Sequence, residues 1–394
     1  MFSSGSIIRI TLIAHGFLSL AVQSSAFTQQ HTRQFVYSSD TILQSFSNGE
    51  TSFSIEKSDD QVTVSKWRKI LQRKKDGGQL NSGTAKYVFN YNYSELVLDS
   101  NETSQGQNEA IVSSANTTIT LLIPPIGVGI GRWYYDRLLN ELRTRRSDLS
   151  QKNSDRYIFL APDLLACGSA SNPQLVHNSI STLESEKVKK LPLFVVDDWA
   201  DQMIDLMRNF EKNVTSGTMH DSKETINWCV VSNGGCVPIA LEIGKRYMEN
   251  NRQKKGDMID GKIPQLILSA TPRVESLLCP QDINKVEKSF KILSGISGKL
   301  FWWYSLKNDG AFIQTFSEKN LASKPENLGS NWKSKCVKTA KSFGGKSRYS
   351  TFAFLSGSLN GGNEDRFEAL KGCMKIDVIT GGDKRKNPAR RYVE

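Results

Sequence analysis

The chain has 394 residues, of which 38% are hydrophobic and 23% are charged, and its net charge at pH 7 is +11. This length is enough for one large globular domain or two modest ones with a sizeable core. Much of the basic excess lies in two runs, Lys66–Lys75 and Lys384–Arg391, which are typical of solvated surface and also suit an anionic membrane surface. No nucleic-acid-binding motif accompanies these runs, so we expect no nucleic-acid partner.

The N terminus has the pattern of a targeting segment. Arg9 precedes a short apolar run, and small residues stand before Phe27, which predicts a signal peptide over residues 1–26. The junction SSAFTQQ resembles the cleavage site of bipartite plastid presequences in algae with secondary plastids. That resemblance implies a transit or flexible region over residues 27–80 and delivery to the plastid through the ER. Plain secretion is the alternative, and four sequons would then be candidate glycan sites: Asn92, Asn101, Asn116 and Asn213.

Strands and helices alternate from Ala85 onward. AKYVFNYNYSELVLDS predicts one or two antiparallel strands, and four later segments, TITLLIPPIG, RYIFLAPDLLACG, TINWCVV and PQLILSATP, predict apolar strands separated by helices. This order predicts an α/β fold with a doubly wound, mostly parallel sheet covered on both faces. The segments PPIGVG, APDLLACG, SNGGC and SATP then lie at the carboxyl edge of the sheet, where such folds carry their functional sites.

The pattern changes over residues 276–370, where we predict an inserted helical cap. Its aromatic run, Phe301 to Tyr304, fits either core packing or a lid over an apolar acyl or terpenoid ligand. Residues 371–394 return to the sheet with the strand MKIDVITGGD.

The cysteines do not suggest a metal site. No CxxC pair occurs and no histidine lies near any cysteine, so we expect neither a metal nor a cofactor. An even number permits disulfides, although a chain of this length does not need them. The six cysteines are Cys167, Cys229, Cys236, Cys279, Cys336 and Cys373.

From Ala85 to its end, the chain resembles the α/β-hydrolase fold superfamily. The resemblance rests on the order of elements and on four segments: LLIPPIGVGIGRW at the oxyanion loop, FLAPDLLACGSAS after strand four, VVSNGGCVPIAL at the nucleophile elbow and IDVITGGDKRKNP after strand seven. It implies a core over residues 85–275, interrupted by the cap and completed by residues 371–394. The family's final strand and helix are not found, so either the sequence is truncated or the protein has shed its catalytic end.

The nucleophile elbow departs from the family pattern. Its small–x–nucleophile–x–small register places Gly234 at the nucleophile position, between Ser232 and Cys236. Glycine cannot attack a carbonyl, but it adopts the positive φ that this turn requires at little cost. We therefore predict that Gly234 lies on a sharp strand-to-helix turn. Ser232 and Cys236 remain candidates for a displaced nucleophile.

The remaining catalytic parts are unevenly kept. The resemblance implies backbone donors for an oxyanion or a bound carbonyl at Ile126 and Gly235, with Gly127 and Gly234 beside them. It also places the acid of a catalytic triad, or a carboxylate near it, at Asp383. The family's histidine is not found, because His177 and His220 lie in polar stretches that predict solvated loops.

A dinucleotide loop is a competing interpretation of GVGIG, residues 127–131. It follows a strand and opens a helix, but the third glycine comes one position early and Arg132 stands in its place.

Two functions follow from these patterns. The first is an α/β-hydrolase-fold protein without serine-dependent catalysis, a pseudoenzyme that binds an apolar small molecule or a partner. The second is an active hydrolase of an apolar ester with a displaced nucleophile and a histidine beyond the sequence given.

Overall fold

The computed structural model describes residues 58–64, 70–72, 81–97, 117–144, 156–168, 174–177, 193–217, 226–253, 262–320, 328–342 and 347–379. The predicted signal peptide, Asp383, His220 and the basic run Lys384–Arg391 lie outside the described residues. The same holds for the basic run Lys66–Lys75 except at residues 70–72.

The strands form one mixed sheet. Along the chain they are β1 (Ser58–Val64), β2 (Ile70–Gln72), β3 (Asn81–Val97), β4 (Thr117–Ile123), β5 (Arg156–Pro162), β6 (Gln174–His177), β7 (Ile226–Asn233), β8 (Lys262–Ser269) and β9 (Lys375–Ile379). The order across the sheet is β1-β3-β5-β4-β7-β8-β9, and β2 and β6 also pair with β3. From β5 to β9 all neighbours are parallel, whereas β1 and β3 are antiparallel to their neighbours. The predicted doubly wound, mostly parallel sheet is confirmed.

Helices cover the sheet and build the cap. They are α1 (Asp136–Thr144), α2 (Val196–Gly217), α3 (Val237–Gln253), α4 (Val274–Leu278), α5 (Ile283–Leu293), α6 (Ile296–Leu306), α7 (Ala311–Asn320), α8 (Trp332–Lys341), α9 (Arg348–Leu355) and α10 (Glu364–Leu370). Helices therefore fill the described part of the stretch predicted as a cap. None of the helices in the described ranges is both long and apolar enough to cross a membrane.

The core lies between the central strands and the helices that follow them. Ile119 of β4 and Val230 of β7 are fully buried, as parallel strands covered on both faces require. Trp199 of α2 and Trp228 of β7 are fully buried as well, and the Trp228 Nε1–H donates to Glu211 of α2 at 2.6 Å. This bond satisfies the indole donor inside the core, where an unpaired donor would be costly.

The structure differs from the sequence-based prediction at three short strands. β1 and β2 lie in the region over residues 27–80 that was predicted to be flexible, and β6 includes His177, which was predicted to lie in a loop. All three pair antiparallel with β3. Their backbone pairing with a long neighbouring strand defines them, because polar sequences such as SDDQVTV carry no clear apolar pattern.

Candidate functional site

Four loops meet at the carboxyl edge of the sheet. Because β4, β5, β7 and β8 are parallel and adjacent, the segments after Ile123, Pro162, Asn233 and Ser269 emerge on the same side. These are the segments that the sequence predicted at this edge. The central pair, β4 and β7, brings the PPIGVG loop next to the SNGGC turn.

The turn after β7 has the geometry of a nucleophile elbow. The central strand β7 ends at Asn233, residues Gly234–Cys236 form one 3-10 turn, and α3 begins at Val237. Gly234 has a φ of +59°, in the left-handed region that favours glycine. The prediction that Gly234 lies on a sharp turn with positive φ is confirmed. Together with the strand order, this strand–turn–helix unit decides the fold.

The chain has the α/β-hydrolase fold. No family description matches its sequence, and no curated protein resembles it significantly. Among solved structures, it is similar to the peroxisomal α/β-hydrolase Lpx1 from Saccharomyces cerevisiae, at 14% sequence identity over 86% of each chain with a TM-score of 0.40.

Two further solved structures have comparable likeness. A Vigna radiata epoxide hydrolase mutant is 9% identical, with 82% of this chain and 80% of that chain covered and a TM-score of 0.40. A mutant of the haloalkane dehalogenase DatA from Agrobacterium tumefaciens is 10% identical, with 75% and 78% covered and a TM-score of 0.37. The strand order and the elbow define the fold. The similarity to these solved structures does not indicate an activity.

The elbow of this α/β-hydrolase fold presents no side chain at its tip. A Cβ atom placed on Gly234 would have no atom of the described residues within 4 Å, so these residues leave the space above the turn open. At the neighbouring Gly235, a Cβ would overlap the ring of Phe354 from α9. The cap therefore places an aromatic ring beside the elbow and leaves the position of a nucleophile empty.

Both candidates for a displaced nucleophile are buried. Ser232 is fully inaccessible in β7, where it pairs with Ile123 of β4 and Leu268 of β8. Its Oγ makes no hydrogen bond within the described part of the chain. Cys236 is also fully buried, and burial raises the pKa of its thiol, although a hydrogen bond from the Ile126 backbone acts in the opposite direction. A buried serine and a buried neutral thiol are both poorly placed to attack a substrate.

The loop after β4 is held by the cap and by the elbow. The Thr351 hydroxyl of α9 donates to the carbonyl of Gly127 at 3.2 Å. The Ile126 backbone, a predicted oxyanion donor, is directed at the Cys236 sulfur. Sulfur is a weak acceptor, so a ligand carbonyl or anion would be a better partner for this N–H. The Ile126 backbone thus contacts Cys236, the last residue of the elbow turn.

A buried carboxylate fixes the start of the helical segment after this loop. The Arg132 N–H donates to Asp163 Oδ1 at 2.7 Å, and Arg132 Nη1 forms an ion pair with Asp163 Oδ2 at 2.7 Å. Cβ atoms on Gly131 or Gly168 would crowd this carboxylate, so both glycines permit its close approach. A dinucleotide loop would offer this N–H to a phosphate, but a carboxylate already occupies it, which argues against the dinucleotide interpretation.

Two tyrosines directly before α1 form hydrogen bonds at the ends of β4 and β7, next to the elbow. The Tyr135 hydroxyl donates to the Ile123 carbonyl at 2.8 Å, at the end of β4. Burial raises the pKa of Tyr134, and a hydrogen bond with the Asn233 side chain, one residue before Gly234, partly opposes that rise. Burial also raises the pKa of Tyr135 well above its ordinary value. Both phenols are therefore neutral at pH 7, and sequence inspection did not single them out.

Thiol alkylation tests whether Cys236 is inert. With iodoacetamide at pH 8 we expect rapid modification of the exposed Cys279 and Cys373 in the native protein. Burial raises the pKa of Cys167 and of Cys336 to about 12, so only about one in ten thousand of these thiols is ionised at pH 8. Burial also raises the pKa of the Cys236 thiol.

Peptide mapping by mass spectrometry measures this pattern, and alkylation in urea, where every thiol is accessible, is its control. Rapid native alkylation of Cys236 would contradict the burial described above and would indicate an activated thiol.

Proposed function

We propose that this protein binds an apolar carbonyl compound at the elbow and does not hydrolyse it. The observation that carries the proposal is Gly234, which occupies the nucleophile position with an open space where a side chain would be. Acyl transfer needs a nucleophile and a base that takes its proton, whereas binding needs only donors and a suitable surface.

The chemistry around the elbow supports an apolar ligand with one acceptor. The Phe354 ring lies over Gly235, and Val128 of the loop after β4 is partly buried against the core. The resemblance assigns N–H donors for a carbonyl oxygen to the backbone of Ile126 and Gly235, and on ligand binding the Ile126 N–H would exchange its contact with the Cys236 sulfur for one with the carbonyl. An apolar pocket with a few convergent donors is the usual form of a small-molecule site.

The described histidine also supports a role without serine-type catalysis. His177 ends β6 and pairs with Gly83 of β3, and the strands β5 and β4 separate β3 from β7 in the sheet. A general base must lie within hydrogen-bond reach of the group it deprotonates. His177 thus lies on a strand that is not a neighbour of the elbow strand β7.

Labelling with a fluorophosphonate probe tests the absence of catalysis. We expect no labelling of the natural protein, and none of Gly234→Ser, because a serine there lacks a base. Ser232→Ala and Cys236→Ala are the matched variants. If the natural protein is labelled and one of these variants is not, a displaced nucleophile exists and the non-catalytic proposal is wrong.

Binding of prodan, a fluorescent apolar ketone, tests the ligand site. Its emission should shift to shorter wavelength on binding, and Gly234→Leu should abolish the shift by filling the open space. Gly372→Leu is the matched control, since Gly372 has a φ of +68° and open space but precedes β9, at the opposite edge of the sheet. Equal binding by Gly234→Leu and the natural protein would contradict a site above the elbow.

A further inference from the structure

One cap helix is apolar on both of its faces. The sequence of α6 is ISGKLFWWYSL, and its inward face buries Gly298, Trp302 and Ser305. A helix that packs on one face only normally turns a polar stripe to water. Here the outward face is apolar as well, so α6 lacks the polar stripe of an ordinary surface helix.

The outward residues form a continuous stripe. Ile296, Leu300, Trp303 and Tyr304 recur at helical spacing, so they share one side of α6. Ile296 is 77% exposed and Trp303 is 59% exposed, and the neighbouring Ile292 at the end of α5 is exposed too. We call these five residues the cap face. In the described part of the chain all five residues are exposed, and Phe312 of α7 contacts the Tyr304 ring with 5.9 Å between the ring centroids.

The chain segment that carries the cap face is basic, with Glu287 and Asp309 directly at its two ends. Residues 288–308 contain four lysines and no aspartate or glutamate. All four lysines are exposed, and Lys307 Nζ lies 5.1 Å from the centroid of the Trp303 ring. The four are Lys288, Lys291, Lys299 and Lys307.

We propose that the cap face docks on a bilayer containing anionic phospholipids. Tryptophan and tyrosine favour the boundary between headgroups and acyl chains, where an apolar ring and a polar atom are both satisfied. Lysines around the stripe attract anionic headgroups and reach them with their long side chains. An apolar stripe bordered by lysines has the two features that bind an anionic membrane surface, apolar area and positive charge. We therefore favour a membrane over a protein partner. The proposal is independent of ligand binding at the elbow.

Vesicle co-sedimentation with the full chain tests the proposal. We expect binding to vesicles of phosphatidylcholine with about 30% phosphatidylserine, and weaker binding at 0.5 M salt, which screens the lysines. Ile296→Ser should weaken partitioning by about tenfold, since burial of one aliphatic side chain is lost. Leu138→Ser on α1 is the matched control, because Leu138 is 43% exposed on a helix outside the cap face. It should bind as the natural chain does.

Tryptophan quenching identifies the face that meets the lipid. Brominated phosphatidylcholine in the same vesicles should quench part of the protein fluorescence, and Trp303→Phe should remove that part while binding persists. An absence of binding would overturn the proposal. Equal partitioning of Ile296→Ser and the natural chain would also overturn it, since the N-terminal apolar segment or the basic runs would then hold the membrane.

Discussion

We expect Glu242→Ala to lower the free energy of unfolding by about 3–5 kcal/mol, the usual cost of removing one member of a buried ion pair. Glu242 lies on α3 with 6% of its surface exposed. Its Oε1 accepts from Arg246 Nε at 2.7 Å, and its Oε2 accepts from Arg366 Nε at 2.6 Å. The substitution leaves two partly buried guanidinium groups without this carboxylate.

Most of the loss in unfolding free energy should come from Arg366. Arg246 retains ion pairs with Asp197 and Asp201 of α2. Within the described part of the chain, Arg366 retains only neutral acceptors, on Gly362 and Asn363. Arg366 lies on α10, the last helix before β9, and its ion pair with Glu242 connects α10 to α3. When Glu242 is replaced, this connection is lost. The edge of the sheet should therefore become less stable.

Urea unfolding followed by circular dichroism measures this change, and Glu249→Ala is the matched control on the same helix. Glu249 forms an exposed pair with Lys245 at 3.8 Å, and such pairs contribute only about 0.3–0.5 kcal/mol. Similar losses in the two variants would show that Glu242 acts as an ordinary surface charge.

The sheet was predictable because its central strands carry strong local signals. β4 and β7 carry apolar stretches, TLLI and WCVV, and helices with clear periodicity follow them. A glycine at the strand-to-helix turn indicates positive φ at Gly234. β2 and β6 were missed because they are three and four residues long and exist through pairing with β3. Pairing between distant segments leaves no periodic trace in so short a strand.

The surroundings of the elbow were less predictable. Thr351 binds Gly127 across a separation of 224 residues, and Phe354 reaches Gly235 from the same helix. Such contacts depend on how the cap docks, which local sequence does not determine. The pair of Arg132 with Asp163 is different, because both lie directly beside loops that the resemblance placed at the same sheet edge. An ion pair between Arg132 and Asp163 could therefore have been predicted from these two positions, but the sequence analysis did not predict it.

The largest effect at the cap-to-core contact is expected for Gly129→Ala. Gly129 lies in the loop after β4 with a φ of +72°, and a Cβ there would overlap the carbonyl of Cys336 in α8. A residue other than glycine at positive φ costs about 1–3 kcal/mol, and overpacking against backbone adds about another 1–3 kcal/mol. Relief requires α8 to move away from the loop, which would also disturb the cap above the elbow.

Gly234→Ala separates these two costs. Its φ of +59° imposes similar backbone strain, but its Cβ meets no atom of the described residues within 4 Å, so only the first cost of about 1–3 kcal/mol applies. The difference between the variants in urea unfolding therefore measures how closely α8 approaches the loop. Prodan binding should be weakened in Gly129→Ala, because the displaced cap no longer holds Phe354 beside Gly235. Equal unfolding free energies for the two variants would mean that α8 does not rest on Gly129. Other contacts, such as the Lys335–Asp136 ion pair and the Thr351–Gly127 hydrogen bond, would then have to hold the cap over the elbow.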